Sequence, residues 1–157
     1  MRRFGRLHTR LFRLDRRGNI MIEFALVMPI LFLLLVGMLD LGRFGLQKSA
    51  MLQGARAGGQ YALVAYSESA NINSTAQGAT GLTGVTATNT VFCECVSGTA
   101  VACSTTCGSG ETLKRYVTVT TTKPFSSILS VSTLSFAGMG SWSPPTSVTA
   151  SVTLIVP

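Results

Sequence analysis

The sequence is poor in charged residues and in the side chains that enzymes use for proton transfer. Only 12% of its 157 residues are charged, and His8 is the single histidine. No aspartate follows Asp40, and Glu68, Glu94 and Glu111 are far apart in the sequence. Acid–base and nucleophilic catalysis need such groups close together, and no phosphate-binding or dinucleotide-binding glycine motif is present. We therefore expect no enzyme, no cofactor, no bound metal and no small-molecule substrate.

The charges are also unevenly distributed along the chain. Residues 1–17 contain seven arginines and one aspartate, whereas residues 18–157 carry six basic and five acidic groups. The basic segment has no folded nucleic-acid-binding module around it, so we expect no nucleic acid partner and interpret the segment as a determinant of membrane topology. With 46% hydrophobic residues overall, the chain is typical of a membrane or exported protein.

Residues 20–39 form an apolar run of twenty residues with one charge. At about 1.5 Å per residue, a helix of this length crosses a hydrocarbon core of about 30 Å. A cleaved signal peptide would have a shorter apolar region and a small-residue cleavage site, which is missing after Leu39. Since Lys and Arg are more numerous before the span than after it, we expect a cytoplasmic N-terminus and an exported C-terminal part.

Glu23 is the one charged residue in this apolar run. An ionised side chain costs up to about 3 kcal/mol at the centre of a bilayer and less near its surface. Glu23 therefore either extends toward the cytoplasmic headgroups or pairs with a cation, which a neighbouring subunit or a newly made N-terminus would supply.

The residues around the span resemble a known family. Residues 16–24 read RRGNIMIEF, with a glycine at the foot of the span and a Glu-Phe pair whose glutamate is the fifth residue after it. This segment resembles the processing site of type IV pilins and pseudopilins. The rest of the span and residues 53–62, QGARAGGQYA, are similar to the TadE-like family of tight-adherence (Flp) pilus assembly proteins.

The resemblance implies a minor pilin or pseudopilin that a prepilin peptidase cleaves between Gly18 and Asn19. It also implies that Glu23, followed by Phe24, neutralises the positive N-terminus during assembly. The implied partners are the lipid bilayer, other pilin or pseudopilin subunits, the prepilin peptidase and the inner-membrane pilus assembly platform. The implied location is the bacterial inner membrane, with the C-terminal domain in the periplasm or outside the cell.

Apolar residues continue at spacings of three, four and seven as far as Tyr66, which predicts one helix over residues 20–66. Small residues on this helix form stripes suited to close packing, either against another helix or against the protein's own sheet. These residues are Gly54, Ala55, Gly58, Gly59 and Ala62. Residues 67–84 are small and polar and predict a solvated connector.

Alternating β-branched residues predict strands over residues 85–95, 116–123 and 148–156. We interpret residues 128–137 as a further short strand or an apolar loop near the bilayer. A small sheet needs a cover for its buried face, and the amphipathic part of the long helix supplies one. The predicted fold is therefore α+β and pilin-like, with a long N-terminal helix packed on a small antiparallel sheet.

The four cysteines, Cys93, Cys95, Cys103 and Cys107, predict two disulfides in an exported domain. A bond between Cys93 and Cys95 is the least favoured because it closes a very short ring. Nested pairing, of Cys95 with Cys103 and of Cys93 with Cys107, would staple a hairpin around Gly98, and crossed pairing is the alternative. A zinc site is disfavoured because paired C-x-x-C spacing is missing.

These patterns divide the chain into a basic cytoplasmic leader (1–18), a transmembrane helix (19–40), an amphipathic extension (41–66) and an exported Ser/Thr-rich β domain (67–157). The function they predict is that of a structural minor pilin in Flp pilus assembly or secretion. The alternative is a bitopic periplasmic or cell-surface binding module that is never processed. A third class, a soluble factor released by signal peptidase, would lose the whole span.

Overall fold

The computed structural model describes residues 16–95, 98–108, 110–128, 134–136 and 140–157. The predicted α+β fold is confirmed, but two helices rather than one precede the strands. The elements are α1 (Arg16–Ala65), α2 (Ser69–Ala79), β1 (Thr86–Glu94), β2 (Ala100–Val101), β3 (Lys114–Pro124), β4 (Leu134–Phe136), β5 (Gly140–Trp142) and β6 (Ser147–Val156).

The chain divides into two compact units. The first ends at Met38, and its described residues are the N-terminal part of α1. The second comprises Leu39–Pro157, and we call it the head. It contains the C-terminal part of α1, the helix α2 and all the strands. The single helix predicted over residues 20–66 is confirmed, since α1 runs without interruption to Ala65.

Four strands of the head form an antiparallel sheet in the order β2-β1-β3-β6. The alternation predicted for the last strand is confirmed, because Val148, Ala150 and Val156 are buried while the intervening Thr149 and Ser151 are exposed. β4 and β5 form a second, two-stranded antiparallel sheet. Of the two alternatives for residues 128–137, a short strand or an apolar loop, the strand is present as β4, and residues 129–133 and 137 lie outside the described residues.

The head is held together by two hydrophobic clusters between the helices and one face of the sheet. The first contains Ala62, Ile72, Ala76, Ala87, Val117, Val119 and Val156. The second contains Met51, Phe125, Val148 and Ala150. Because α1 contributes a fully buried residue to each cluster, the amphipathic half of the helix is the cover that the sheet requires.

The prediction of a solvated connector over residues 67–84 is wrong, because residues 69–79 form α2. The sequence of this helix is mostly small and polar, but Ile72 and Ala76 lie one turn apart and are fully buried. A helix of 11 residues is marginal by itself in water, so α2 depends on the packing of these two side chains. Packing of this kind is not visible in the local pattern.

Candidate membrane span and assembly site

The N-terminal part of α1 presents an apolar surface on all sides. Within the described part of the chain, Ile20–Ala65 is the one helix long and apolar enough to cross a membrane, by length and composition. Every residue from 20 to 35 is exposed. A helix that is hydrophobic all round needs lipid or other apolar helices around it, so the segment is consistent with a single-pass membrane anchor.

Glu23 lies on this apolar surface, one turn after Asn19. Its side chain is exposed, as is that of Phe24, and among the described residues Glu23 has no hydrogen bond or ion pair. Side chains on a helix point back toward the N-terminus, so a carboxylate at position 23 extends toward the turn that contains residue 19. The geometry therefore suits a pair between Glu23 and a positive charge at the N-terminal end of the helix.

The predicted processing site lies within the first turn and a half of α1, which begins at Arg16. Both Gly18 and Asn19 have helical backbone. Cleavage between them requires local unwinding, because a peptidase binds its substrate in an extended form. Glycine lowers the cost of that unwinding, since it disfavours a helix by about 1 kcal/mol relative to alanine. Cleavage itself stays a prediction.

The small residues of α1 are used within the head. A Cβ added to Gly58 would lie 2.8 Å from the Ala76 Cβ, and one added to Gly59 would lie 2.6 Å from the Leu154 Cδ1. A Cβ at Gly54 would collide with the Ala76 carbonyl oxygen of α2 and with the methyl group of Thr80, the residue that follows α2.

Ala55 and Ala62, from the same predicted stripes, are fully buried. The stripes therefore pack against this chain's own α2 and its own sheet. The sequence left open packing against another helix or against the protein's own sheet, and the structure shows contacts of both kinds within the head, with α2 and with the sheet.

All four cysteines are in disulfides, and the pairing is crossed. Cys93 bonds to Cys103 with a Cα–Cα distance of 5.1 Å, and Cys95 bonds to Cys107 with a Cα–Cα distance of 5.8 Å. The nested alternative is therefore wrong. Cys93 and Cys95 are two residues apart along an extended segment, so their side chains lie on the same face, and both are buried. Their partners, Cys103 and Cys107, follow β2 in the chain.

The zinc alternative does not fit this arrangement. The Glu111 carboxylate lies within 4.8 Å of the Cys95 and Cys107 sulfurs, but these two sulfurs are bonded to each other. No cysteine is free, so no thiolate is available as a zinc ligand.

One polar cluster of the head was not predicted from the sequence. The Tyr61 hydroxyl and the Asn71 amide both donate to the Glu68 carboxylate, each at 2.6 Å, which ties the end of α1 to the start of α2. The bond from Tyr61, and then that from Asn71, lowers the pKa of Glu68, while the bond to Glu68 raises the pKa of Tyr61. Nearby, the Arg115 guanidinium lies 4.6 Å from the centroid of the Tyr66 ring. Because the sequence predicts a connector over residues 67–84, it gives no signal for a polar cluster that joins α1 and α2 at Glu68.

Residues 18–60 match a family model described as TadE-like protein. The matched segment begins at Gly18, includes Glu23 and the whole apolar run, and ends within the small-residue part of α1. The resemblance found in the sequence is confirmed for this segment. No curated protein and no solved structure is significantly similar to the chain.

Proposed function

We propose that the chain is a non-catalytic minor pilin or pseudopilin that takes part in assembly of a tight-adherence (Flp) pilus, or in secretion by the same system. The observation that carries this proposal is the TadE-like match over residues 18–60. The match includes the apolar part of α1 and Glu23, the one carboxylate within that part. TadE-like proteins are pilus-associated and generally non-catalytic, in agreement with the scarcity of acid–base side chains in the exported part.

The first step of the proposed function is processing. A prepilin peptidase on the cytoplasmic side removes the arginine-rich segment by cutting between Gly18 and Asn19. The new amino group then lies one helical turn before Glu23 and carries a positive charge. Because the surroundings have a low dielectric constant, the attraction between this cation and the Glu23 carboxylate is stronger than it would be in water.

The second step is a change of surroundings for the apolar part of α1. Before assembly, lipid covers the exposed residues 20–35, and the inner-membrane platform presents the subunit to its neighbours. In the assembly, the helices of other pilin or pseudopilin subunits replace the lipid. The head lies on the periplasmic side, where disulfides persist, and this agrees with the bonding of all four cysteines.

The N-terminal sequence and the intact mass of the protein test this function. The full chain is expressed in a bacterial inner membrane together with a tight-adherence prepilin peptidase, and a catalytically inactive peptidase serves as the control. We expect Asn19 as the first residue with the active enzyme and the intact arginine-rich segment with the inactive one. An uncleaved chain beside an active peptidase contradicts the proposal and favours a permanently anchored binding module. Loss of the whole span, with recovery in the aqueous fraction, contradicts both.

A further inference from the structure

One loop of the head is fixed to the first turn of α1 that follows the apolar run. Asp40 is the first charged residue after Glu23, and both of its carboxylate oxygens accept the backbone N–H of Ile128, each at 2.9 Å. A carboxylate that accepts a backbone N–H makes a charge-assisted bond, which is stronger than one between neutral groups. Ile128 therefore lies at the level of the residue where the apolar run ends.

Two aromatic contacts fix the same loop a few residues earlier. The Phe125 ring meets the Phe44 ring edge to face, with the centroids 5.4 Å apart, and the Arg43 guanidinium lies 5.9 Å from the centroid of Phe125. The Arg43 Nη1 also forms an ion pair with the Asp40 Oδ1, across 3.7 Å. Phe125 itself is buried, and its N–H donates to the Thr146 carbonyl oxygen at 2.9 Å. The loop 125–128 is therefore held in one position against α1.

The surface around this attachment combines exposed apolar side chains with a cation. Leu41 and Leu46 on α1 are 72% and 76% exposed, and Ile128 on the loop is 50% exposed. The Arg43 side chain is 47% exposed despite its contact with Phe125. Apolar side chains beside a basic group are what the interfacial region of a phospholipid bilayer accommodates, because acyl chains and phosphate groups are close together there.

We propose that this surface, made of residues 40–46 and the loop 125–128, is a second contact between the protein and the lipid bilayer. Ile128 inserts beside the acyl chains at the headgroup boundary, and Arg43 binds a lipid phosphate. The inference rests on the proposed function, because it requires the apolar part of α1 to be in the membrane. Its consequence is that the head is fixed to the membrane surface at two points, the helix and the loop, rather than hanging from the helix alone.

Ile155 supplies a matched control for Ile128. It is an isoleucine of similar exposure, 56%, and it pairs with Tyr116 near one end of the sheet. Ile128 follows the opposite end of the sheet, where Pro124 pairs with Ser147. Arg115, the neighbour of Tyr116, contacts Tyr66 just beyond the end of α1. Ile155 therefore lies near the C-terminal end of α1, whereas Ile128 lies beside Asp40. A bilayer contact that includes Ile128 does not include Ile155.

The test uses an environment-sensitive fluorophore on the full chain, attached through Ile128→Cys or Ile155→Cys. Each protein is reconstituted in vesicles of phosphatidylethanolamine and phosphatidylglycerol, with or without a lipid that carries a nitroxide quencher near the headgroup. We expect the label at position 128 to emit at shorter wavelength and to lose most of its fluorescence to the nitroxide lipid, and the label at 155 to do neither. Arg43→Gln, which removes the charge, should reduce quenching at position 128.

Extraction of the same vesicles with alkaline carbonate separates the two proposals. If the chain stays in the membrane pellet but labels at 128 and 155 are quenched equally, the lipid contact is overturned and the anchor stands. If carbonate releases the chain, the anchor and the lipid contact are both overturned. Equal emission wavelengths at the two positions, in a chain that stays in the pellet, also overturn the contact.

Discussion

The buried hydroxyl of Thr121, on β3, donates a hydrogen bond to the main-chain carbonyl oxygen of Met51, on α1, across 2.9 Å. Both residues are completely buried, so this bond is made in the middle of the contact between helix and sheet. The Ala150 carbonyl oxygen on β6 lies 3.4 Å from the same hydroxyl. A directional bond inside an otherwise apolar interface fixes how far the helix can slide along the sheet, which apolar contacts alone do not.

Thr121→Val should therefore lower the free energy of unfolding of the head by about 1 kcal/mol, the usual net value of a hydrogen bond. The replacement keeps the shape of the side chain and exchanges its hydroxyl for a methyl group. Urea unfolding of the full chain in detergent micelles, followed by near-UV circular dichroism, measures the change. Thr118→Val is the control, because its partly exposed hydroxyl bonds to that of Thr153 at the surface, and its effect should stay within about 0.5 kcal/mol. Equal effects would show that the buried bond has no special role.

Replacement by alanine should lower the free energy of unfolding at Gly58 of α1 and raise it at Gly45. A Cβ at Gly58 would lie 2.8 Å from Ala76 and 3.1 Å from Val119, so Gly58→Ala should destabilise the head by about 1–3 kcal/mol in the same unfolding experiment. At Gly45 nothing lies within 4 Å of an added Cβ, so Gly45→Ala should stabilise the helix by up to about 1 kcal/mol. Stabilisation by both replacements would contradict the close contact between α1 and α2.

The strands and the long helix were predictable because their patterns are local. The period of two in β6 and the spacings of three and four in α1 follow from which side of each element is buried. Neither α2 nor the disulfide pairing has such a pattern. α2 forms because Ile72 and Ala76 pack close to Gly54 and Gly58 of α1, and these residues are distant in sequence.

Removing disulfides in pairs tests the crossed connectivity. Cys93→Ala together with Cys103→Ala removes one bridge and should cost about 2–4 kcal/mol in the unfolding free energy. Cys93→Ala together with Cys107→Ala removes one partner from each bridge, so both are lost and the cost should be larger. The opposite order of stabilities would support the nested pairing instead.

Glu23→Ala should leave membrane insertion intact and impair incorporation into an assembly. Insertion is not harmed because the change removes a charge that costs up to about 3 kcal/mol in lipid. Incorporation should fall because the positive N-terminus of the processed subunit loses its partner. Carbonate extraction measures the first quantity, and the amount of protein in sheared filaments measures the second.

Glu23→Asp is the matched control for that experiment, since it keeps the charge on a shorter side chain. We expect it to restore part of the incorporation. Normal incorporation of the alanine variant would rule out the charge-pairing role of Glu23.

The Tyr61–Glu68–Asn71 cluster should make the stability of the head depend on pH. The folded protein holds the pKa of Glu68 below its ordinary value of 4.5, so the cluster contributes stability above that pH and loses it as the pH falls through the lowered pKa. The thermal midpoint of the full chain in micelles should therefore decline more steeply between about pH 5 and pH 3 than that of Glu68→Gln. The pKa of Tyr61 is raised, so the stability that its hydroxyl contributes through the bond to Glu68 has the opposite pH dependence. It is present below pH 10.0 and is lost only as the pH rises above that value. Parallel curves at acidic pH would contradict this role.

Some residues of the candidate site could be identified from the sequence and others could not. Glu23 stands out because a lone carboxylate in an apolar run is physically expensive, and Gly18 stands out by its position relative to that run. Asp40 has no comparable signal, because a charge after a span is ordinary. Its bond to Ile128 joins residues 88 positions apart and depends on where β3 ends.

In the proposed fibre, the crossed disulfides have a mechanical consequence. When the chain is pulled, tension passes from Cys93 to Cys103 through sulfur, and the backbone between them is shielded from the force. A stretched polypeptide lengthens by about 3.3–3.6 Å for each freed residue, so this segment adds almost no slack. The residues enclosed by the two bridges therefore add little length when the head is stretched, however far the rest of the chain extends.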